Sequence, residues 1–384
     1  MGGGIGGAKR YVFLLGAIIG FFAISWRSTP AQKAYKYGSA YFLGGMTSAV
    51  GNLLPFVNPA FYFIFSIFPP ELSGLEAIGV VRESDVARFG GLTFMANALF
   101  CVLLARYGIR GVFDFSGPLR FLPFSLHKGL DIAKPWRFIF FLLALVLSLF
   151  GGFRSILLIF AMIFALQFFY ENLFSTKLFP TLMLAGVLAA CLILPFANQL
   201  PLAVQRAISF LPVSIDPVAK GDAASSTEWR LTIWKRVMPE VPRYFLLGKG
   251  FAVPSRDLEM MAGSSVSTSQ SIEIAILAGD YHNGPLSLII PLGIWGVIGF
   301  IWFLLASFNV LRQNYRFGSE HLKNLNRFLL VYFLAKTIFF FLFFGSFYTD
   351  LFQFTGLVGL SVSLNHGVSK RAVTRKPDQM PTIV

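Results

Sequence analysis

The 384-residue chain is 55% hydrophobic and only 13% charged, with 45 Phe and a mean hydropathy of +0.68. Soluble domains carry roughly 25% charged residues, so an ordinary soluble core is excluded. The net charge of +14 would point to nucleic acid on a soluble protein, but here the cations stand mainly in short loops between apolar blocks, where they set membrane topology. No nucleic-acid partner is read, and Cys101 and Cys191, both inside apolar blocks, offer no disulfide or metal framework.

Taken in order, apolar blocks fall near 11–26, 41–68, 90–105, 136–152, 154–171, 178–196, 285–308, 328–346 and 351–365. Most approach the ~20 residues that cross a hydrocarbon core, and lipid-exposed backbone must satisfy its own hydrogen bonds, so they are predicted as helices. The fold class is therefore an all-α polytopic integral membrane protein of about nine transmembrane helices, with the lipid bilayer as solvent and one long periplasmic loop bearing short helices. Gly151-Gly152 splits 136–171 into a hairpin, and Gly345 to Asp350 splits the last pair. The start, with Lys9 and Arg10 ahead of an apolar run and no clean cleavage site before Arg27, reads as a retained first span.

Orientation follows from the short loops. Residues 106–137 hold Arg106, Arg110, Arg120, Lys128, Lys134 and Arg137, the 309–327 loop holds Arg312, Arg316, Lys323 and Arg327, and the tail holds Lys370, Arg371, Arg375 and Lys376. These are expected inside. The acidic segment 70–89 and the charge-balanced segment 197–284 are expected outside. An odd span count puts Met1 outside, whereas Lys9 and Arg10 prefer inside; the two resolutions are a re-entrant pair in 41–68 or spans lacking upstream. The organisation read is 1–196 as N-terminal transmembrane helices, 197–284 as a periplasmic loop, 285–365 as C-terminal transmembrane helices and 366–384 as a basic cytoplasmic tail.

Polar chemistry concentrates in the outer segment. Ser225 with Glu228 three residues on forms a capping-box pattern, predicting a short helix at about 227–238, stopped by Pro239 and Pro242. On it Arg230 and Trp234 share a face, either with the cation aimed at the protein interior or as a snorkelling Arg beside an interfacial Trp. Arg154, the only charge in its stretch of the hairpin, either meets an anion such as a phosphate or stays in water at the turn. His282 precedes the span near Pro285, with Asp280 two residues before it; it suits a general base for a sugar hydroxyl, or a simple helix-start residue. No phosphate loop, metalloprotease motif, paired metal-binding aspartates or nucleophile elbow is present, so no cofactor and no metal are read.

The succession "GGFRSILLIF", "STEWRLTIWKRVMPEVPRYFLLGKGF" and "YHNGPLSLIIPLGIWGVIGFIWFL" resembles the bacterial O-antigen ligase and polymerase family over roughly residues 80–365. The most specific part is the order Arg230, Trp234, Gly248, Gly250, His282, Asn283, Gly293, Gly296. The resemblance implies a metal-independent glycosyltransferase of the bacterial inner membrane, with its active face periplasmic. It implies an undecaprenyl-diphosphate-linked glycan as donor and a glycan, lipid A core or protein as acceptor. Arg154 and Arg230 would bind the donor diphosphate, His282 would activate the acceptor hydroxyl, and Asp280, Asn283 and Trp234 would support it. Family members commonly show more spans than this chain, the shortfall lying before residue 80. A flippase or exporter of lipid-linked oligosaccharide is the alternative, pointed to by Lys336 within an apolar block; a non-enzymatic scaffold is a third.

Overall fold

The computed structural model describes residues 5–68, 86, 88–114, 119–120, 131–132, 135–251 and 268–370. The expected acidic loop 70–89 lies largely outside the described residues, as do parts of the 106–137 loop and the tail from 371 onward. Nearly everything described is helical: α1 (Ile5–Trp26), α2 (Ala34–Leu43), α3 (Gly90–Val112), α4 (Pro135–Phe150), α5 (Arg154–Tyr170), α6 (Leu178–Ile193), α7 (Leu202–Ala207), α8 (Pro217–Val237), α9 (Glu240–Tyr244), α10 (Thr268–Leu277), α11 (Gly284–Phe317), α12 (Lys323–Leu342) and α13 (Phe347–Leu364). A two-residue antiparallel pair, β1 (Leu119–Arg120) with β2 (Asp131–Ile132), is the exception.

Among the described residues, four stretches could cross a bilayer by length and apolarity, Gly90–Val112, Leu178–Gln199, Gly284–Phe317 and Glu320–Leu342, with Arg10–Trp26, Pro135–Phe150 and Arg154–Tyr170 as shorter apolar helices. The expected block 41–68 is not one α-helix. It begins earlier, in α2, continues as 3-10 turns over Gly44–Phe56, breaks at Val57 and Asn58, and resumes at Pro59–Ser66. Gly44-Gly45 lowers helix propensity where the change begins, and Pro55 and Pro59 each remove a backbone donor.

The bundle is held by aromatic packing, as expected where lipid leaves helices little hydrophobic reason to associate. Phe100 of α3 stacks on Phe160 of α5 at 4.0 Å, and Phe300 of α11 meets Phe340, Phe347 and Phe354. Lys336, within α12, is half of an internal ion pair with Asp350 of α13 at 2.9 Å. α1 runs parallel to α13: Gly16 faces Phe352, Gly359 faces Ile24, and Thr29 N donates to Ser363 O. The far end of α3 turns at Gly108 (φ +64°), where Glu171 accepts from the amides of Ile109 and Arg110 and so caps the helix that restarts there. That end also holds Arg327 and the Tyr35–His321 contact, so it lies opposite the hairpin tip at Gly151-Gly152.

The hairpin-tip end carries a second constraint. α11 is broken at Gly293 (φ +64°), two residues after Pro291 has removed a helical donor. Segment 245–250 fills the break: Lys249 N donates to Ile290 O (2.7 Å), Gly250 N to Pro291 O (2.9 Å), and Ile294 N to Phe245 O (2.7 Å). The backbones approach so closely that a Cβ on Gly248 would lie 2.3 Å from Pro291 O, and one on Gly293 would lie 2.6 Å from Leu246 O. Gly248 and Gly250 are thus half of a backbone clasp, Gly248 because no Cβ has room there and Gly250 because its φ is +75°. Gly293→Ala is expected to lower stability by roughly 1–3 kcal/mol from the left-handed φ alone, with the contact to Leu246 adding to it. Thermal unfolding of purified wild type and variant checks this; an unchanged midpoint would mean the clasp does not constrain the fold.

Candidate functional site

The site is assembled from four pieces at the hairpin-tip end. The first is the tip itself. Gly152 takes φ +72°, and a Cβ on Gly151 would collide with Thr93 Oγ1 at 2.0 Å, so the turn presses on α3. Arg154 opens α5 immediately after it, and its Nη2 donates to Ala223 O (2.8 Å) and Thr227 Oγ1 (3.0 Å) of α8.

The second piece is α8, which differs from the expected short helix. It starts at Pro217, the proline at its first position and Asp216 Oδ1 accepting from Val218 N as N-cap. Ser225 does not cap: its hydroxyl donates back to Gly221 O, inside the helix. Pro239 ends α8, but Pro242 sits within the short helix α9 and does not stop it. Asp222, Ser226 and Arg230 recur every four residues and so share one face.

Arg206 on α7 joins these two pieces and was not singled out from the sequence. It is 3% exposed, its guanidinium donating to Asp222, to Ser226 Oγ (3.0 Å) and to the carbonyl of Gly152. Arg88 adds a further cation, its Cζ 5.8 Å from the Phe153 ring centre and its buried Nε without a hydrogen bond among the described residues. Arg230 completes the group. Burial, followed by the charges of Arg154, Arg206 and Arg88, pulls its guanidinium below its ordinary proton affinity. An arginine stays charged regardless, so the shift records burial first and, after it, neighbouring positive charge that an incoming anion would relieve.

The fourth piece carries His282. α10 closes with the paired bonds of a Schellman turn, Asp280 N to Ala275 O and Gly279 N to Ile276 O, with Gly279 left-handed at φ +58°. Trp234 Nε1 donates to Tyr281 O (2.8 Å), pinning the loop to α8. His282 is itself left-handed at φ +51°, an uncommon and strained state for a non-glycine residue. Its Nδ1 lies 3.2 Å from both Asp280 O and Asp280 Oδ1. Both are acceptors, so the proton belongs on Nδ1 and Nε2 is left as the basic nitrogen. Burial pushes the Asp280 carboxyl up, but the hydrogen bond and charge of His282, with Arg10 beyond it, outweigh that and hold it below the usual carboxylate range. Trp229 and Phe344 flank the imidazole edge-on, each 5.1 Å between ring centres, and Arg230 Cζ sits 5.5 Å from the same Phe344 ring.

Every residue expected from the sequence falls at this end, in unequal roles. Arg154, Arg230, His282 and Asp280 converge. Trp234 acts on the loop rather than reaching the centre, and Asn283 caps α11, its Oδ1 accepting from Leu286 N (3.0 Å). Arg88, Arg206, Asp222, Trp229 and Phe344 were missed. For Arg206 a signal existed, a lone cation in the apolar run "PLAVQRAISF", the same pattern that drew attention to Arg154.

An arrangement of this kind can hold a multiply charged anion on its guanidinium groups and take a proton at Nε2 beside it. No curated protein and no solved structure matches the chain. The family model described as O-antigen ligase matches residues 136–301, from the start of α4 into α11; this stretch, which contains Arg154, Arg206, Arg230 and His282, is similar to that family.

Proposed function

We propose that the protein moves a glycan from undecaprenyl diphosphate to an acceptor hydroxyl, at the periplasmic face of the bacterial inner membrane. The observation that carries this reading is the meeting of Arg88, Arg154, Arg206 and Arg230 with the His282–Asp280 pair at one end of an apolar bundle. A diphosphate on a polyprenyl chain is anchored in lipid and reacts at the membrane boundary. It needs cations there, and the acceptor needs a base beside them.

In the proposed step His282 Nε2 takes the proton of the acceptor hydroxyl, the oxygen bonds to the anomeric carbon, and the bond from that carbon to the phosphate oxygen breaks. The electron pair leaves on the diphosphate, whose growing charge Arg154 and Arg230 meet with paired donors, Arg88 standing behind them. Arg206, already committed to Asp222, Ser226 and Gly152, holds the frame. Asp280 keeps the imidazole in the required tautomer and stabilises the imidazolium that forms. The acceptor class, whether lipid A core, a further glycan repeat or a protein, is any whose hydroxyl reaches Nε2. Nine crossings are kept in this reading, supported among the described residues by four helices long and apolar enough to cross a bilayer and three shorter apolar ones. Lys336, the residue that favoured an exporter, is paired with Asp350 inside the bundle and needs no substrate to balance it.

The test is transfer from a fluorescently tagged undecaprenyl-diphosphate glycan by the reconstituted protein. His282→Ala is expected to lose on the order of 10²-fold or more of the rate; equal transfer by the variant removes the base from the mechanism, and lipid-linked sugar crossing vesicles without transfer would establish the exporter. Arg230→Lys keeps the charge but loses the planar fork, and is expected to slow transfer about tenfold, a barrier change of about 1.4 kcal/mol. Wild-type rates in that variant would count against a diphosphate contact. Because guanidinium groups supply the positive charge in this mechanism, EDTA is expected to leave the rate unchanged; loss on chelation, restored by a divalent ion, would overturn that part.

A further inference from the structure

We infer that Phe344 is a positioning residue for glycosyl transfer, its ring setting the interval between the arginine that receives the leaving group and the histidine that takes the proton. The inference rests on the function proposed above and adds to it a residue outside the matched stretch 136–301. Two geometric facts meet at this side chain. The Arg230 guanidinium carbon stands 5.5 Å from the ring centre, and the His282 imidazole packs edge-on against the same ring, 5.1 Å between centres at 87°.

What holds the ring matters as much as what it touches. Phe343 N and Phe344 N both donate to Phe339 O, at 2.9 and 3.0 Å, closing α12. Two residues on, Ser346 N donates to Asp350 Oδ2 (3.0 Å), while Lys336 Nζ holds the other oxygen of that carboxylate at 2.9 Å. Phe347 N donates to Ser287 Oγ (2.9 Å), and the same hydroxyl donates to Gly284 O (2.7 Å). A Cβ on Gly345 would lie 3.0 Å from Gly284 Cα, so the two backbones touch. The connection that carries Phe344 is therefore locked to the first turn of α11, two residues after His282. Imidazole and phenyl ring move as one body.

Arg230 arrives on another element, α8, and its guanidinium makes no hydrogen bond among the described residues. The ring of Phe344 is the contact that settles where its end lies relative to His282. A cation over a ring face is attracted by the ring's quadrupole, enough to favour one arrangement of a long side chain. During transfer the donor's first sugar has to bridge a phosphate at Arg230 and an acceptor oxygen at His282. A path between those two groups runs along this ring. The Lys336–Asp350 pair thus acts at a distance, through the connection it anchors.

The experiment compares kcat and donor KM for wild type, Phe344→Leu and Phe344→Tyr with the same tagged donor, each protein first shown to unfold cooperatively and elute as a single species. Phe344→Leu is expected to lose on the order of 10²-fold in kcat, the scale of a roughly 1 Å misplacement, and Phe344→Tyr, which keeps the ring, is expected to retain most of it. A folded Phe344→Leu that turns over like wild type overturns the inference. So does a Phe344→Tyr that falls as far as the leucine variant, since the ring would then not be what counts. Should the leucine variant fail to fold, Phe344→Met, close in volume and flexible, takes its place under the same criteria. Wild type that fails to transfer sinks the proposed function and this inference together, whereas wild type that transfers alongside an unimpaired Phe344→Leu sinks only the inference.

Discussion

The site depends on one buried guanidinium. Arg206 is 3% exposed, and its donors are divided between the Gly152 carbonyl at the tip of the α4–α5 hairpin and Asp222 with Ser226 on α8. A buried charge that loses its partner costs on the order of 3–5 kcal/mol, so such a group binds the elements that satisfy it to one arrangement. Once Asp222 and Ser226 are docked on the tip, the backbone of Arg230, one further turn along the same face, is fixed with them, leaving its side chain to be placed by its own contacts. Arg154 repeats the linkage from the other side, through Ala223 and Thr227. The two arginines proposed to meet the diphosphate thus stand beside a third that is already committed to protein partners.

That division also explains the electrostatics. Asp222 is committed to Arg206, and the charges of Arg88, Arg154 and Arg206 all bear on Arg230. Burial lowers the proton affinity of Arg206 in the same direction, with its hydrogen bond to Asp222 opposing. A few ångströms on, the sign reverses: Asp280 leans on His282 and is held ionised by it. Cationic and basic halves stand side by side, with the rings of Trp229 and Phe344 between and around them. Apolar walls at a charged site reduce water's screening, so the field of each half is stronger there than it would be in solvent.

The apolar helices were legible in the sequence because composition alone decides what lipid accepts. The blocks read at 136–152, 154–171 and 178–196 appear as helices over Pro135–Phe150, Arg154–Tyr170 and Leu178–Ile193. Where the backbone matters more than the side chains the reading weakened. Glycines and prolines in 41–68 gave 3-10 turns, and α8 began eight residues before the capping-box pattern because Asp216-Pro217 is the stronger start. At the site, Arg154, Arg230 and His282 stood out as ionisable groups in apolar surroundings. Arg88 and Arg206 were absorbed into charge counts, and Phe344 into a run of phenylalanines, because what distinguishes them is a partner far away in sequence. Gly248 and Gly293 were noticed as a motif, yet their reason, mutual close approach of two backbones, belongs to tertiary structure.

Arg10 shows why a rule based on counting cations reaches its limit here. As a loop charge it argues for the inner side, against the parity of an odd number of crossings. In the fold it lies at the site end: its Nη1 would be 2.9 Å from a Cβ on Gly279, and its Cζ stands 5.8 Å from the Phe251 ring centre and 5.5 Å from that of Tyr348. It also contributes to holding Asp280 ionised. The inside preference of Lys and Arg describes cations that remain free in a short loop during insertion. A cation taken up by aromatic faces and a nearby carboxylate is part of the folded interior, and its energy is set by those partners. With Arg10 counted among the site's own charges, its place beside Phe251 and Tyr348 agrees with the parallel run of α1 beside α13.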